Sequence, residues 1–213
     1  MKIKAVLFDM DGLIFDTEGI CKTSWQNAVS EQGLVLTDDY YQRFIGTQDV
    51  QCEQLLVDAF GERLDMARFR LVRDAMLEAE RKKGVKFKAG FEDIFSELKG
   101  RSLQCALVTS SALPQVEHHF AGSDYLQYFN TIITAEKVEN GKPAPDCYRM
   151  ACEQLDIDPV HCLVLEDSNN GMRAGLDAGC HAVMIPDLLG PDADVAEKAT
   201  AVIACLSEVK QFL

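Results

Sequence analysis

Apolar residues recur along this chain in two rhythms. Five short runs, Ile3–Phe8, Leu103–Val108, Thr131–Thr134, Cys162–Leu165 and Ala182–Ile185, are largely apolar rather than alternating. Strands covered on both faces read this way. Between the later runs the spacing turns helical. Phe91, Ile94, Phe95 and Leu98 precede Gly100, while Leu113, Val116 and Phe120 follow one another with Pro114 in the first turn. Further helices are expected from about Pro145 to Leu155 and from Gly171 to Ala178, the last stopped by Gly179. Strand–helix alternation of this kind predicts an α/β fold, a Rossmann-like parallel sheet flanked by helices.

Residues 16–84 break the rhythm, because they contain no convincing strand. Cys21, Trp25 and Ala28 lead to Gly33; Cys52, Leu55, Leu56 and Ala59 lead to Gly61; Phe69, Val72 and Met76 lead to Gly84. Thr37, Thr47 and Asp65 are the expected N-caps of three helices. The pattern divides the chain into an α/β core, residues 1–15 and 89–213, and an inserted helical cap domain, residues 16–88. The hinges fall near Leu13–Thr17 and Val85–Gly90. A lone tryptophan on an apolar helix face places Trp25 in the cap's own core. Residues 199–213 read as a short strand and a helix.

At 213 residues and 47% hydrophobic, the chain can bury a sizeable core. Its formal charge of −13 argues against nucleic-acid and membrane-surface partners, which call for a basic face. An anionic substrate would then need local positive charge at its site. The eight cysteines include no CxxC pair, and several sit inside apolar runs, as buried thiols of a reducing cytoplasm do. There is no signal-type h-region and no stretch of transmembrane length, so the expectation is a cytoplasmic protein, a monomer by default.

The candidate chemistry lies where strands end. Asp9-Met10-Asp11-Gly12 follows the first strand, and carboxylates two positions apart should reach one small volume. Such a pair repels unless a cation intervenes or one acid keeps a proton. After the second strand comes the hydroxyl cluster Thr109-Ser110-Ser111, suited either to phosphoryl oxygens or to helix capping. In Gly141-Lys142-Pro143-Ala144-Pro145, the proline holds Lys142 extended, a point charge for a phosphate or a carboxylate. Glu166-Asp167-Ser168 closes the fourth strand, and Asp9 with Asp167 could supply carboxylates to Mg²⁺. His118 and His119 are expected on a helix surface, with no ligand set for zinc. In open α/β sheets, ligands bind at the carboxyl ends of the strands.

These segments, in this order and spacing, resemble the haloacid dehalogenase (HAD) superfamily, and the helical insertion resembles its β-phosphoglucomutase-like branch. The resemblance implies a Mg²⁺-dependent phosphatase acting on a small phosphorylated metabolite, a sugar phosphate in first place. It implies that Asp9 is the nucleophile that becomes an aspartyl-phosphate and that Asp11 is the acid and base. Thr109, Ser110 and Lys142 would bind the phosphoryl group, and Asp9, Asp11 (through its carbonyl), Glu166 and Asp167 would hold the metal. The superfamily's dehalogenases lack the second acid, so Asp11 points to phosphoryl chemistry. The mutases resembled here carry basic groups and a histidine where this chain has Ile45 and Asp49 around Gly46, and Cys21, which favours phosphatase over mutase. A catalytically silent binding protein on the same fold is the non-enzymatic alternative. Glu18, Cys21, Lys22, Trp25 and the Phe44–Thr47 turn are the candidates for reading the leaving group.

Overall fold

The computed structural model describes residues 2–213. Its six strands are β1 (Ala5–Phe8), β2 (Gln104–Val108), β3 (Thr131–Ile133), β4 (Cys162–Glu166), β5 (His181–Met184) and β6 (Ala201–Val202). They form one sheet in the order β3-β2-β1-β4-β5-β6, with every pairing parallel. The expected α/β sheet is therefore present, and β1 lies at its centre. All four β1 residues are buried because helices cover both faces.

Strand parity sorts the core into two layers. Val6, Phe8, Leu107, Leu163 and Val183 face one side, where they meet α5 (Phe91–Gly100) and α6 (Leu113–Phe120). Ala5, Leu7, Ala106, Val164 and Ala182 face the other, against α7 (Asp146–Leu155) and α8 (Asn169–Asp177). A short α9 (Ala193–Lys198) precedes β6, and a 3-10 turn over Leu206–Phe212 replaces the expected final helix. Phe8, Phe91, Phe95, Tyr125 and Phe129 form a continuous ring cluster on the first side.

Between Asp16 and Lys88, the described residues form helices but no strand: α1 (Glu18–Ser30), α2 (Asp38–Tyr41), α3 (Asp49–Phe60) and α4 (Met66–Arg81). They close an apolar cluster of their own around Trp25, Phe44, Leu56 and Phe69. The Trp25 ring meets Phe44 and Phe69, each at 5.2 Å. Thr37 and Asp65 cap their helices as expected, accepting from the amides of Tyr40 and of Ala67 and Arg68. Thr47 does not. Gln48 occupies the N-cap of α3, and the Thr47 hydroxyl instead accepts from Asn170 Nδ2 at 2.9 Å. The chain enters and leaves this segment through two paired extended stretches: Lys88 N donates to Ile14 O, Asp16 N donates to Lys86 O, and the rings of Phe15 and Phe87 stack at 4.9 Å.

Phe95, 1% exposed, contacts five other aromatic rings, those of Phe8, Phe91, Tyr125, Tyr128 and Phe129. Phe95→Ala is expected to cost about 3–5 kcal/mol through lost transfer energy and a residual cavity, read as a lower urea midpoint at unchanged slope.

Candidate active site

The carboxyl ends of β1 and β4 set the site. In their register Phe8 stands opposite Leu165, so the next residues, Asp9 and Glu166, lie side by side. Asp9 also continues the parity of Ala5 and Leu7, and Glu166 that of Cys162 and Val164, so both turn toward the α7 side. Their exposures are 7% and 0%. Two buried carboxylates this close repel unless one keeps a proton or a cation lies between them.

Lys142 is that cation. It is 2% exposed, and its Nζ lies 2.5 Å from Asp9 Oδ1 and 2.6 Å from Glu166 Oε1. It also donates to Val108 O at 3.0 Å, at the end of β2. Burial alone would lower the Lys142 pKa, but the Asp9 and Glu166 carboxylates more than offset it and hold the ammonium above the ordinary lysine range. Glu166 is further fixed by the Tyr148 hydroxyl, at 2.6 Å, and by Ser168 Oγ, at 3.1 Å. Gly171 makes room for it: a Cβ there would fall 1.9 Å from the Glu166 carboxyl carbon. The Lys142–Pro143 peptide bond is cis.

Carboxylate oxygens of Asp9, Glu166 and Asp167 all lie within 4.8 Å of one another, and all three residues are buried. Three acids against one lysine leave an excess of negative charge that a divalent cation with oxygen ligands would neutralise. Without such an ion, burial raises the Asp9 carboxyl well above the carboxylate range, helped by Glu166 and opposed by Lys142. Burial likewise raises Asp167, with Asp9 and Glu166 adding to it. The donor set therefore fits a hard divalent metal.

Asp11 has a different environment. Its carboxylate is outside the three-acid group, and its side chain is 21% exposed. Thr17 donates to Oδ1 at 2.8 Å and Ser111 to Oδ2 at 2.7 Å. Two neutral hydroxyls thus hold the second acid, whereas a cation holds the first. Thr109, 4% exposed, accepts from Ser111 N at 3.0 Å, which fixes the turn after β2. Thr109 and Ser110 both line the cavity described next.

That cavity opens above Asp9, between the sheet edge and helices α1–α4, with a volume of about 970 Å³ including the part open to solvent. Asp9, Asp11 and Asp167 are at its base, and Trp25, Tyr41 and Phe44 are on its far wall. Glu18, 8% exposed, also lines it, its carboxyl pushed up to about 8 by burial, with Asp11 and Asp187 adding to the effect. Gly46 seats the helical segment on the sheet: its φ is +71°, and a Cβ would lie 2.4 Å from Ser168 Oγ.

At the site the structure corrects one further expectation and supplies residues that the sequence pattern does not mark. His119 is not on the helix surface. Its side chain is 5% exposed, it lines the cavity, and its Nε2 lies 3.8 Å from Asp11 Oδ1, whereas His118 is exposed as expected. Thr17, Tyr148 and Ser111 hold the two central acids from outside the acidic motifs; of these only Ser111 lay in a cluster singled out by the sequence.

The similarities to known proteins agree with this geometry. Residues 6–185 match the model of the haloacid dehalogenase-like hydrolases. Hexitol phosphatase A of Escherichia coli is 30% identical over 187 residues, covering 87% of this chain and 84% of that protein. The phosphorylated carbohydrates phosphatase of Thermotoga maritima is 26% identical, covering 85% and 84%. Among solved structures, CbbY from Rhodobacter sphaeroides in complex with phosphate superposes with a TM-score of 0.80 at 25% identity, covering 97% of this chain and 96% of that one. The chain belongs to the haloacid dehalogenase-like hydrolase family and is an enzyme of its phosphatase type.

Proposed function

We propose that the protein is a Mg²⁺-dependent phosphomonoester hydrolase that cleaves a small phosphorylated carbohydrate through a phosphoryl group carried on Asp9. The observation that carries this reading is the buried Lys142 bridging Asp9 and Glu166 beneath a cavity that Asp11 also lines. Lys142 aims Asp9 and, together with the metal, would keep it ionised, as a nucleophilic carboxylate needs to be. As Asp9 bonds to phosphorus, the leaving oxygen takes a proton from Asp11. Asp11 then takes a proton from the water that attacks the Asp9-phosphate, and Asp9 is released as a carboxylate. Lys142, Thr109 and Ser110 bind the equatorial oxygens, where phosphoryl transfer is governed by charge and position. Asp9, Glu166 and Asp167, with the Asp11 carbonyl, would hold Mg²⁺, which supplies neutralisation of the phosphoryl charge.

Residues 16–88 act in this scheme as a cap domain over the 1–15 and 89–213 core, reading the leaving group across the cavity. Among the described residues, no lysine or arginine lines that cavity, whereas Glu18 and Asp49 do. A second phosphate would find no lysine or arginine there, which supports hydrolysis of a monophosphate over mutase chemistry through a bisphosphate. The relatives that act on hexitol phosphates and phosphorylated carbohydrates support the substrate class.

Phosphate release from a panel of hexose, pentose and hexitol monophosphates with Mg²⁺ tests the reading; silence across the panel and with p-nitrophenyl phosphate would falsify it. Asp9→Asn is expected to abolish turnover, and wild-type protein quenched during turnover should carry a phosphoryl adduct on Asp9, found by mass spectrometry of the digest. Mg²⁺ at about 100 times its Kd should stabilise the fold by about 2.7 kcal/mol, and Asp167→Asn should lose that gain. A melting midpoint indifferent to Mg²⁺ would remove the metal from the scheme.

A further inference from the structure

We infer that His119 is a positioning residue for Asp11, holding its carboxyl group in place while one of the two hydroxyl partners is given up. The inference rests on the reading of Asp11 as acid and base. Both Asp11 oxygens are already engaged, Oδ1 by Thr17 and Oδ2 by Ser111. The Thr17 hydroxyl is itself oriented, since it accepts from Gly12 N at 3.2 Å. To deliver a proton to a leaving oxygen, Asp11 has to turn one oxygen toward the substrate and away from its hydroxyl partner, and a carboxyl group released on one side can rotate away.

His119 closes that route. Its Nε2 faces Oδ1 at 3.8 Å, beyond hydrogen-bond length but one small side-chain adjustment from it. The imidazole is kept on this side of the site by the Phe15 ring, with centroids 5.2 Å apart and an interplanar angle of 31°. It projects from α6, with Val116 and Phe120 of the same helix fully packed in the core. His119 lines the cavity from the sheet side, so it acts from the half of the site that carries the chemistry.

In the step it assists, Asp9 forms a bond to phosphorus while the bond from phosphorus to the leaving oxygen breaks. The electron pair goes to that oxygen, which takes the Asp11 proton. The benefit therefore depends on how badly the leaving group needs protonation. It belongs in kcat/KM, which covers events through the first irreversible step.

The test is a series of substituted phenyl phosphates, from p-nitrophenyl phosphate to unsubstituted phenyl phosphate, with wild type, His119→Leu, His119→Asn and Asp11→Asn. Each protein's dependence of log kcat/KM on leaving-group pKa is a slope, independent of the fraction of enzyme that is folded. His119→Leu is expected to steepen it, with a loss about tenfold greater for phenyl than for p-nitrophenyl phosphate. His119→Asn, which keeps a side-chain N–H, should recover part of that difference, and Asp11→Asn should steepen the slope further. If Asp11→Asn steepens the slope and His119→Leu lowers the whole series in parallel, His119 only packs the site and the inference is overturned. If Asp11→Asn leaves the slope unchanged, the acid assignment falls and this inference falls with it.

Discussion

The site depends on one buried cation held between two buried anions. Parallel register sets Asp9 beside Glu166, and the parity of β1 and β4 turns both toward the same layer of helices. Two carboxylates buried side by side repel each other, and Lys142 bridges both at once. Desolvating three charges is repaid only when geometry is close and the remaining lone pairs are filled. The Val108 carbonyl, the Tyr148 hydroxyl and Ser168 fill them. The ends of β1, β2 and β4 and the first turns of α7 and α8 are thereby tied to a single ammonium group, and the cavity floor inherits that rigidity.

Two aspartates two residues apart end in unlike surroundings, and the difference is physical rather than positional. Asp9 is buried against a fixed charge, while Asp11 stays partly exposed between two hydroxyls that can donate or accept. Separate surroundings of this kind are what would let two neighbouring carboxylates take different roles. The close spacing that first demanded an explanation is resolved by giving the two groups separate partners.

The strands were legible because a strand covered on both faces has no polar alternation to hide it, and because each ended in residues with little reason to be apolar. The order of those endings carried the family resemblance. Partners reaching the site from elsewhere were not legible. Tyr148 reads as one more buried position on α7, since its ring is in the core and only its hydroxyl is at the site. His119 stands beside the exposed His118, and neighbours on a helix point about 100° apart. The periodicity of Val116 and Phe120 leaves His119 at the margin of the apolar stripe, where sequence cannot tell water from a cavity. Thr47 had the right chemistry for a helix cap, but a contact with Asn170 at the start of α8 took it instead. Each miss is a long-range contact made by a residue with an ordinary local use.

The space that Gly171 leaves empty is the space that the Glu166 carboxylate fills. The two positions therefore form one unit of heritable information. A side chain added at 171 has to displace a carboxylate on which Lys142, Tyr148 and Ser168 converge, whereas shortening the acid at 166 would empty the volume that forbids it. Neither letter is free to drift while the other stays. Across descendants of this sequence, loss of the glycine should follow loss of the glutamate and not precede it.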